Sequence, residues 1–129
     1  MRSKLRSNPV PGLYVVATPI GNVADISARA LAVLAGANMV ACEDTRVTAK
    51  LFAAHGLVTP LLPYHEHNAQ SQRPKLIRRL KDGETVALVS DAGMPTISDP
   101  GSILVKECVD KKINLIPIPG PSAPVAALS

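Results

Sequence analysis

The stretch most able to do chemistry runs from Ser90 to Gly101 and has the sequence Ser-Asp-Ala-Gly-Met-Pro-Thr-Ile-Ser-Asp-Pro-Gly. The apolar run before it predicts a strand that brings the Asp91 carboxylate to the end of a sheet. Gly93 and Pro95 then fix the path of the backbone, which exposes peptide groups to a ligand. A long turn would have a similar composition, so these residues alone indicate a ligand-facing loop without specifying its ligand.

A second stretch, Glu43 to Arg46, places two neighbouring carboxylates beside an arginine. One interpretation is a helix start, with Asp44 as the N-cap and Arg46 in solvent. The other is a site in which Asp44 or Glu43 acts as an acid or base and Arg46 binds the substrate. The sequence leaves both interpretations open.

Two histidines, His65 and His67, are separated by one residue. Alternate residues of a strand share a face, so both imidazoles could bind one metal ion. A third ligand with a recognisable spacing is missing, and Cys42 and Cys108 lie far apart without a paired motif. We therefore predict no metal site, hydrogen-bonding loop histidines and two buried, unpaired cysteines.

A run of positive charge occupies one predicted helix. Its members are Arg73, Lys75, Arg78, Arg79 and Lys81. Such a run is usually a solvated helix face. Together with Arg2, Lys4 and Arg6 it could instead follow the phosphates of a nucleic acid, and for that case we assign Arg78 and Arg79 to substrate binding. The formal net charge of +4 permits a polyanionic partner without requiring one.

The elements that must position these residues alternate along the chain. The predicted strands are Leu13–Ala17, Met39–Cys42, Leu61–His65, Thr85–Val89 and Ile113–Ile118. The first predicted helix is capped by Asp25 or Ser27 and ends at Gly36. The others are Thr45–Ala54, Ser71–Lys81, Ile103–Val109 and a last helix that begins at Pro121. This alternation predicts an α/β fold with a five-stranded, mainly parallel sheet flanked by helices.

In such a sheet the loops that follow the strands gather at one end, where ligands bind. These loops are rich in glycine, proline and polar residues, and they begin at Thr18, Glu43, Glu66, Ser90 and Pro119. The opposite end of the sheet is predicted to hold ordinary connectors such as residues 81–84. The candidate site is therefore expected where the strands finish.

Composition and missing motifs exclude several functions. The chain has 129 residues, of which 47% are hydrophobic and only 2% aromatic, so it can form a core but cannot stack a series of bases on rings. It contains neither a GxxxxGK[ST] nor a GxGxxG motif, which disfavours P-loop enzymes and dinucleotide-binding dehydrogenases. No apolar stretch predicts a membrane span or a secretion signal, so we expect a cytoplasmic protein with no membrane partner.

Several of these stretches together resemble the tetrapyrrole methylase superfamily, the class III S-adenosylmethionine-dependent methyltransferases. The Ser90–Gly101 segment resembles the family pattern SDAG-x-P-x-ISDPG. Within the family, the chain is similar to the branch that 2′-O-methylates a cytidine ribose in small-subunit (16S) ribosomal RNA. The other markers of that branch are Gly12–Asn22, Cys42–Arg46, Tyr64–Asn68 and Pro117–Ala123.

The resemblance implies S-adenosylmethionine as the cofactor and ribosomal RNA as the substrate. The residues expected to bind the cofactor are Pro19, Asp91, Gly93, Met94, Pro95, Ile97, Pro119, Ser122 and Ala123. Met94 departs from the threonine that is common in the family, so a hydroxyl contact is lost there while a backbone contact is retained. A methylase that acts on a tetrapyrrole carbon and a non-catalytic module that binds cofactor or RNA remain the alternatives.

The resemblance also implies a domain organisation. Residues 1–11 are expected to form a basic N-terminal extension, and residues 12–129 the first α/β domain of a two-domain enzyme whose cofactor lies in the cleft between domains. Without the second domain, the chain is expected to fold, to bind the cofactor poorly and not to methylate. The missing wall would leave an apolar patch exposed, which predicts self-association as a homodimer.

Overall fold

A single parallel sheet organises the chain in the computed structural model, which describes residues 9–18, 25–90 and 99–119. Its strands are β1 (Gly12–Ala17), β2 (Met39–Cys42), β3 (Leu61–Pro63), β4 (Thr85–Ser90) and β5 (Leu115–Ile118). Their order is β3-β2-β4-β1-β5, and every neighbouring pair is parallel. The predicted α/β class and the five-stranded parallel sheet are confirmed.

Within the described ranges, four helices flank the sheet, two on each face. They are α1 (Ala28–Gly36), α2 (Thr45–His55), α3 (Ala69–Lys81) and α4 (Pro100–Asp110). Leu34 of α1 and Phe52 of α2 belong to the apolar cluster on one face, whereas Leu76 of α3 and Leu104 of α4 belong to the cluster on the other. A crossover between parallel strands is right-handed, so the face that each helix covers follows from the direction in which the chain moves across the sheet.

The central strands are apolar on both sides because both faces are covered. All six residues of β1 are buried, and they alternate between the two clusters: Tyr14 and Val16 on one side, Leu13 on the other. A continuous apolar run is typical of a strand of this kind. Complete burial of one such side chain stabilises the fold by roughly 1.5–3 kcal/mol.

Two of the predicted helix boundaries are set by caps. Of the two predicted caps for α1, Ser27 is the one used, since its Oγ accepts a hydrogen bond from Ala30 N at 3.1 Å. Gly56 ends α2 in the left-handed conformation, with φ 68°, which costs glycine little because it has no Cβ.

Other boundaries differ from the predicted ones for local reasons. Helix α3 begins at Ala69, before the predicted Ser71, and it accommodates the exposed Pro74 within its second turn. Helix α4 begins at Pro100, before the predicted Ile103, because Asp99 Oδ1 accepts a hydrogen bond from Ser102 N at 2.8 Å. Both helices therefore extend closer to the ends of the preceding strands than the apolar pattern indicated.

The observed strand boundaries differ less from the predicted ones. Strand β5 begins at Leu115 because Ile113 N closes the end of α4 through a hydrogen bond to Cys108 O. Strand β3 ends at Pro63 on the edge of the sheet, where a missing amide donor is tolerated. The last predicted helix, opened by Pro121, lies outside the described residues.

Both cysteines are buried and neither forms a disulfide bond, as predicted, and they lie in the clusters on opposite faces of the sheet. The sheet between them rules out a bond between Cys42 and Cys108. Burial raises the pKa of the Cys108 thiol to about 11, so it stays protonated at neutral pH. Among the described helices, none is long and apolar enough to cross a membrane.

Candidate functional site

The five strands all finish at the same end of the sheet, which we call the carboxyl end; the other is the amino end. The loops after β1 and β2 lead to helices on one face, and the connection after β4 leads to a helix on the other. Strand β4 lies between β2 and β1 in the sheet. The connection that follows β4 therefore leads to the opposite face from the connections that follow its two neighbours. In an open α/β sheet, the point where neighbouring connections lead to opposite faces is the usual place for a ligand.

The three segments predicted to bind the cofactor start from three adjacent strands, β4, β1 and β5. The register pairs Ala17 with Ser90 and Val16 with Ile118, so the ends of these strands lie within one residue of one another. Of the predicted cofactor residues, Pro119 is described and is exposed just after β5. The others lie outside the described residues: Pro19, Asp91, Gly93, Met94, Pro95, Ile97, Ser122 and Ala123.

Asp44 follows β2 and caps α2. Its Oδ1 accepts hydrogen bonds from Arg46 N at 2.9 Å and from Arg46 Nε at 3.4 Å. The side-chain and backbone hydrogen bonds from Arg46 lower the pKa of Asp44 from its ordinary value of 3.8. The capping interpretation is therefore confirmed, and the carboxylate that caps the helix is a weak base.

Two residues close to Asp44 are more accessible to solvent than Asp44 itself. Glu43 is exposed between β2 and α2, and the Arg46 side chain is 88% exposed despite its contact with Asp44. Since β2 lies beside β4, both residues stand on the side of β4 opposite to the cofactor segments. This placement suits residues that would meet a substrate across the end of β4.

A buried tyrosine links the loop after β3 to the start of α4; the sequence placed it in the family marker Tyr64–Asn68 without assigning it a role in the site. Tyr64 is 3% exposed; its hydroxyl donates to Pro100 O at 2.8 Å and accepts from Arg73 Nε at 3.1 Å. Burial raises the pKa of Tyr64, so the phenol remains a neutral donor. The contact fixes the start of α4, which is separated from residues 91–98 by its cap, Asp99.

The histidines form a hydrogen-bonded turn. His65 N donates to Asn68 Oδ1 at 2.8 Å, and His65 Nδ1 accepts from His67 N at 3.2 Å. Asn68 Nδ2 donates in turn to Pro63 O at 2.9 Å, which ties the turn to the end of β3. The predicted hydrogen-bonding role is confirmed, and within the described part of the chain no group of three His, Cys, Asp or Glu side chains is placed to hold a metal ion.

The cations of α3 do not act as one group. Arg73 lies near the start of the helix and contacts Tyr64 at the carboxyl end. Arg78 and Arg79 lie in the last turn, at the amino end, because α3 runs antiparallel to the strands and is about 20 Å long. Arg79 Nη1 is paired with Glu84 Oε1 at 2.8 Å, whereas Arg78 is exposed. Of the three residues assigned to substrate binding, Arg78 and Arg79 are thus remote from Asp44, whereas Arg46 contacts it.

Known proteins match this chain over nearly its whole length. It is 58% identical over 119 residues to the ribosomal RNA small subunit methyltransferase I of Mesorhizobium japonicum, covering 92% of this chain and 40% of that protein. The proteins of the same name from Vibrio cholerae and Pseudomonas aeruginosa are 48% and 53% identical, over 98% and 91% of this chain and 44% and 42% of their own lengths. The chain thus spans less than half of these relatives.

A protein family model also matches most of the chain. The model described as Tetrapyrrole (Corrin/Porphyrin) Methylases matches residues 12–129, which include every strand and helix of the fold. The match begins at the first residue of β1, where the sheet itself begins. The chain belongs to the tetrapyrrole methylase family.

Proposed function

We propose that this chain provides the first domain of an S-adenosylmethionine-dependent methyltransferase that 2′-O-methylates a cytidine ribose in 16S ribosomal RNA. The observation that carries the proposal is the identity of 48–58%, over at least nine-tenths of the chain, to proteins named ribosomal RNA small subunit methyltransferase I. We place the reaction beyond the carboxyl end of β4, where ligands usually bind in open α/β sheets.

The cofactor is proposed to lie beyond the carboxyl ends of β4 and β1. Three polypeptide segments start there from neighbouring strands, each strand about 4.8 Å from the next, so their backbone groups can surround one nucleoside-sized ligand. When bound, S-adenosylmethionine supplies an activated methyl group on a sulfonium. The chain's own part is to orient the acceptor and exclude water, since an in-line displacement depends mainly on positioning.

Proton removal from the ribose 2′-hydroxyl is proposed to involve Glu43 rather than Asp44. The hydroxyl is a weak acid, so transfer is assisted by a base within hydrogen-bond reach. Asp44 Oδ1 is occupied by Arg46, which lowers its pKa and its basicity. Glu43 is exposed at the same strand end, and Arg46 is positioned to attract a phosphate of the substrate.

A second domain is proposed to close over this end of the sheet. The chain spans 40–44% of its relatives' lengths, which leaves room for another domain in a protein of this kind. A cleft with two walls buries more of a ligand than one wall does, and it excludes water from the reacting groups. We therefore expect residues 1–129 alone to bind the cofactor weakly and to methylate nothing.

The test is methyl transfer by two proteins side by side: this chain, and this chain fused after Ser129 to the remaining residues of the Mesorhizobium japonicum relative. Each receives radiolabelled S-adenosylmethionine with 30S subunits, protein-free 16S RNA or a porphyrinogen. We expect label in the ribosomal substrate from the fusion alone. The intact relative is the positive control.

Each other outcome has a definite meaning. Label in the porphyrinogen and not in RNA would replace the proposed reaction by tetrapyrrole methylation. Cofactor binding by the fusion without transfer to any substrate, while the relative is active, would indicate a binding module. Turnover by the 129-residue chain equal to that of the fusion would show that the second domain is dispensable.

A further inference from the structure

A hollow of about 290 Å³ lies at the amino end of the sheet, remote from the candidate site. Its wall carries three lysines, Lys81 at the end of α3 and Lys111 and Lys112 just after α4. All three side chains are exposed, and the polar Asn114 lines the same hollow. The sequence predicted ordinary connectors at this end of the sheet, such as residues 81–84. In the structure the lysines of these connectors line one concave surface.

The floor of the hollow is rigid because two backbone segments close it. Asn114 O accepts a hydrogen bond from Leu13 N at 2.9 Å, and Asn114 Nδ2 donates to Pro11 O at 3.1 Å. Gly12 lies between those contacts with φ 148°, and a Cβ on it would come within 2.8 Å of Asn114 O. The hollow thus keeps its shape without a ligand, which lowers the entropic cost of binding one.

Lys112 is held in an unusual backbone conformation. Helices α2, α3 and α4 end in the same pair of hydrogen bonds, and the first donor of each pair is a residue with a positive φ. At α2 and α3 this residue is glycine, Gly56 and Gly83, whereas at α4 it is Lys112, with φ 60°. It is the only residue other than glycine with a positive φ in the described part of the chain. A Cβ is strained there, so the chain retains a lysine at a position that glycine would occupy more easily.

Compensation of helix dipoles does not explain this concentration of charge. Cations are favourable at the carboxyl-terminal end of any helix, and all four helices end at the amino end of the sheet. Yet α1 has no basic residue in its last turn, and α2 has only His55. By the same measure α3 carries three cations, Arg78, Arg79 and Lys81, and α4 none. Lys111 and Lys112 follow the last residue of α4, and four carboxylates lie in the same stretches: Asp82, Glu84, Glu107 and Asp110.

Part of that charge is already paired. Arg79 contacts Glu84 at 2.8 Å, and Lys111 Nζ lies 3.8 Å from Glu107 Oε2. The second pair is long and half-exposed, so it holds Lys111 weakly. Lys81 and Lys112 have no carboxylate partner among the described contacts, which leaves both ammonium groups available to an anion.

We infer that this hollow binds the phosphodiester backbone of the RNA substrate, with Lys81 and Lys112 as its principal contacts. The inference rests on the proposed function for the identity of the polyanion. Lysine binds phosphate as a point charge and makes no base contact, so the hollow adds affinity without sequence preference. RNA bound there would be held on one end of the sheet while a nucleotide reaches the other.

The experiment measures binding of a fluorescein-labelled single-stranded RNA by anisotropy over a range of salt concentrations. Lys112→Gly is expected to weaken binding roughly three- to tenfold near 50 mM salt and to reduce the salt slope by about 0.7, the share of one phosphate contact. The same change should raise the melting temperature by about 2–6 °C, because glycine relieves the backbone strain.

Lys81→Ala removes a lysine of the hollow without changing the backbone strain at residue 112, and it should weaken RNA binding by a similar factor. The matched control is Lys50→Ala, which removes an exposed charge from α2 on the opposite face of the sheet. Lys50→Ala should leave the affinity nearly unchanged. Equal RNA affinity in all three variants would overturn the inference.

Two further measurements separate this inference from the proposed function and from a small-molecule site. Methyl transfer to RNA by the fusion protein, with no effect of Lys112→Gly on RNA affinity, would refute the hollow alone. Loss of RNA affinity in Lys112→Gly, with no methyl transfer by the fusion, would refute the proposed function and retain the hollow. Micromolar binding of ATP that needs Lys112, with RNA binding unaffected, would overturn the assignment to RNA.

Discussion

The two ends of this sheet are made from the same strands and helices, yet their chemistry differs. The carboxyl end receives the starts of the helices, with capping residues such as Ser27, Asp44 and Asp99 and the buried hydroxyl of Tyr64. The amino end receives the ends of the helices and a cluster of lysines around Lys112. One end presents oriented backbone groups and fixed hydrogen bonds, the other accessible positive charge.

That difference follows partly from topology. In a fully parallel sheet with a helix between successive strands, every described helix starts at the carboxyl end and finishes at the amino end. The start of a helix requires hydrogen-bond acceptors for its first N–H groups, and the left-handed residue at the end of a helix is usually glycine. Topology does not account for Lys112 in the left-handed position or for the three cations in the last turn of α3. The fold alone requires neither of these features at the amino end.

The largest expected effect comes from breaking the packing that both ends share. Helix α4 spans the sheet from Pro100 to Asp110, and Leu104 at its centre is fully buried. Leu104→Ala should lower the free energy of unfolding by about 2–5 kcal/mol, because a cavity is left in the core. Urea denaturation measures the change. Ile103→Ala, on the exposed side of the same helix, is the control and should cost far less; equal losses would show that α4 does not pack as described.

A smaller effect should separate the two ends. Tyr64→Phe removes the hydroxyl that joins Pro100 O to Arg73, so we expect a loss of about 1–3 kcal/mol in stability and weaker S-adenosylmethionine binding by the fusion protein. Its matched control is Tyr14→Phe, which removes the hydrogen bond to Val10 O at 2.8 Å. Tyr14→Phe should leave cofactor affinity unchanged by calorimetry. A comparable loss of affinity in both variants would contradict the separation of the ends.

The arginines of α3 offer a finer comparison at the amino end. Arg78→Glu should weaken RNA binding and flatten its salt dependence while leaving stability within about 0.5 kcal/mol, because Arg78 is exposed. Arg79→Glu should also lower stability, by up to about 1 kcal/mol, since it breaks the pair with Glu84. Anisotropy and urea denaturation measure the two properties. An unchanged salt slope in both variants would show that this turn is only a solvated face.

The smallest expected effect is the pH dependence of the Asp44 cap. A lowered pKa means that the ionised carboxylate stabilises the folded state above its ordinary pKa of 3.8, and that this contribution disappears as the pH falls below that value. Asp44→Asn should therefore reduce stability at neutral pH and match the unmodified chain in strong acid. Thermal melts from acid to neutral pH measure the difference. Asp25→Asn, at an exposed position, is the control, and the same pH profile there would remove the special role of the cap.

Much of the fold could be predicted from the sequence because local signals agreed with the tertiary structure. The apolar run at Leu13–Ala17 indicated a strand buried on both faces, and β1 is that strand. Met39–Cys42 was predicted with its observed bounds. The starts of α3 and α4 were missed because their first residues, at Ala69 and Pro100, are set by contacts at the strand ends rather than by a repeating apolar face.

The site was predictable to a smaller extent. Consecutive polar residues indicated that Glu43 and Arg46 follow a strand, and the parallel sheet confirms where that strand ends. The Tyr64–Arg73 contact spans nine positions and the Tyr64–Pro100 contact thirty-six, so no local pattern indicates either. The lysine hollow joins the ends of two helices that are distant in sequence. The general base and the cofactor contacts at residues 91–97 remain predictions.

The most direct test of the account maps both ligands on one sample of the isotopically labelled chain by NMR. We predict that millimolar S-adenosylmethionine shifts the amide signals of Thr18, Ser90 and their neighbours at the carboxyl end, with little change at Lys81, Lys112 and Asn114. A single-stranded RNA should shift the signals of the lysine hollow. Cofactor-induced shifts confined to the amino end, or an S-adenosylmethionine titration that leaves the ends of β1 and β4 unchanged, would contradict the account.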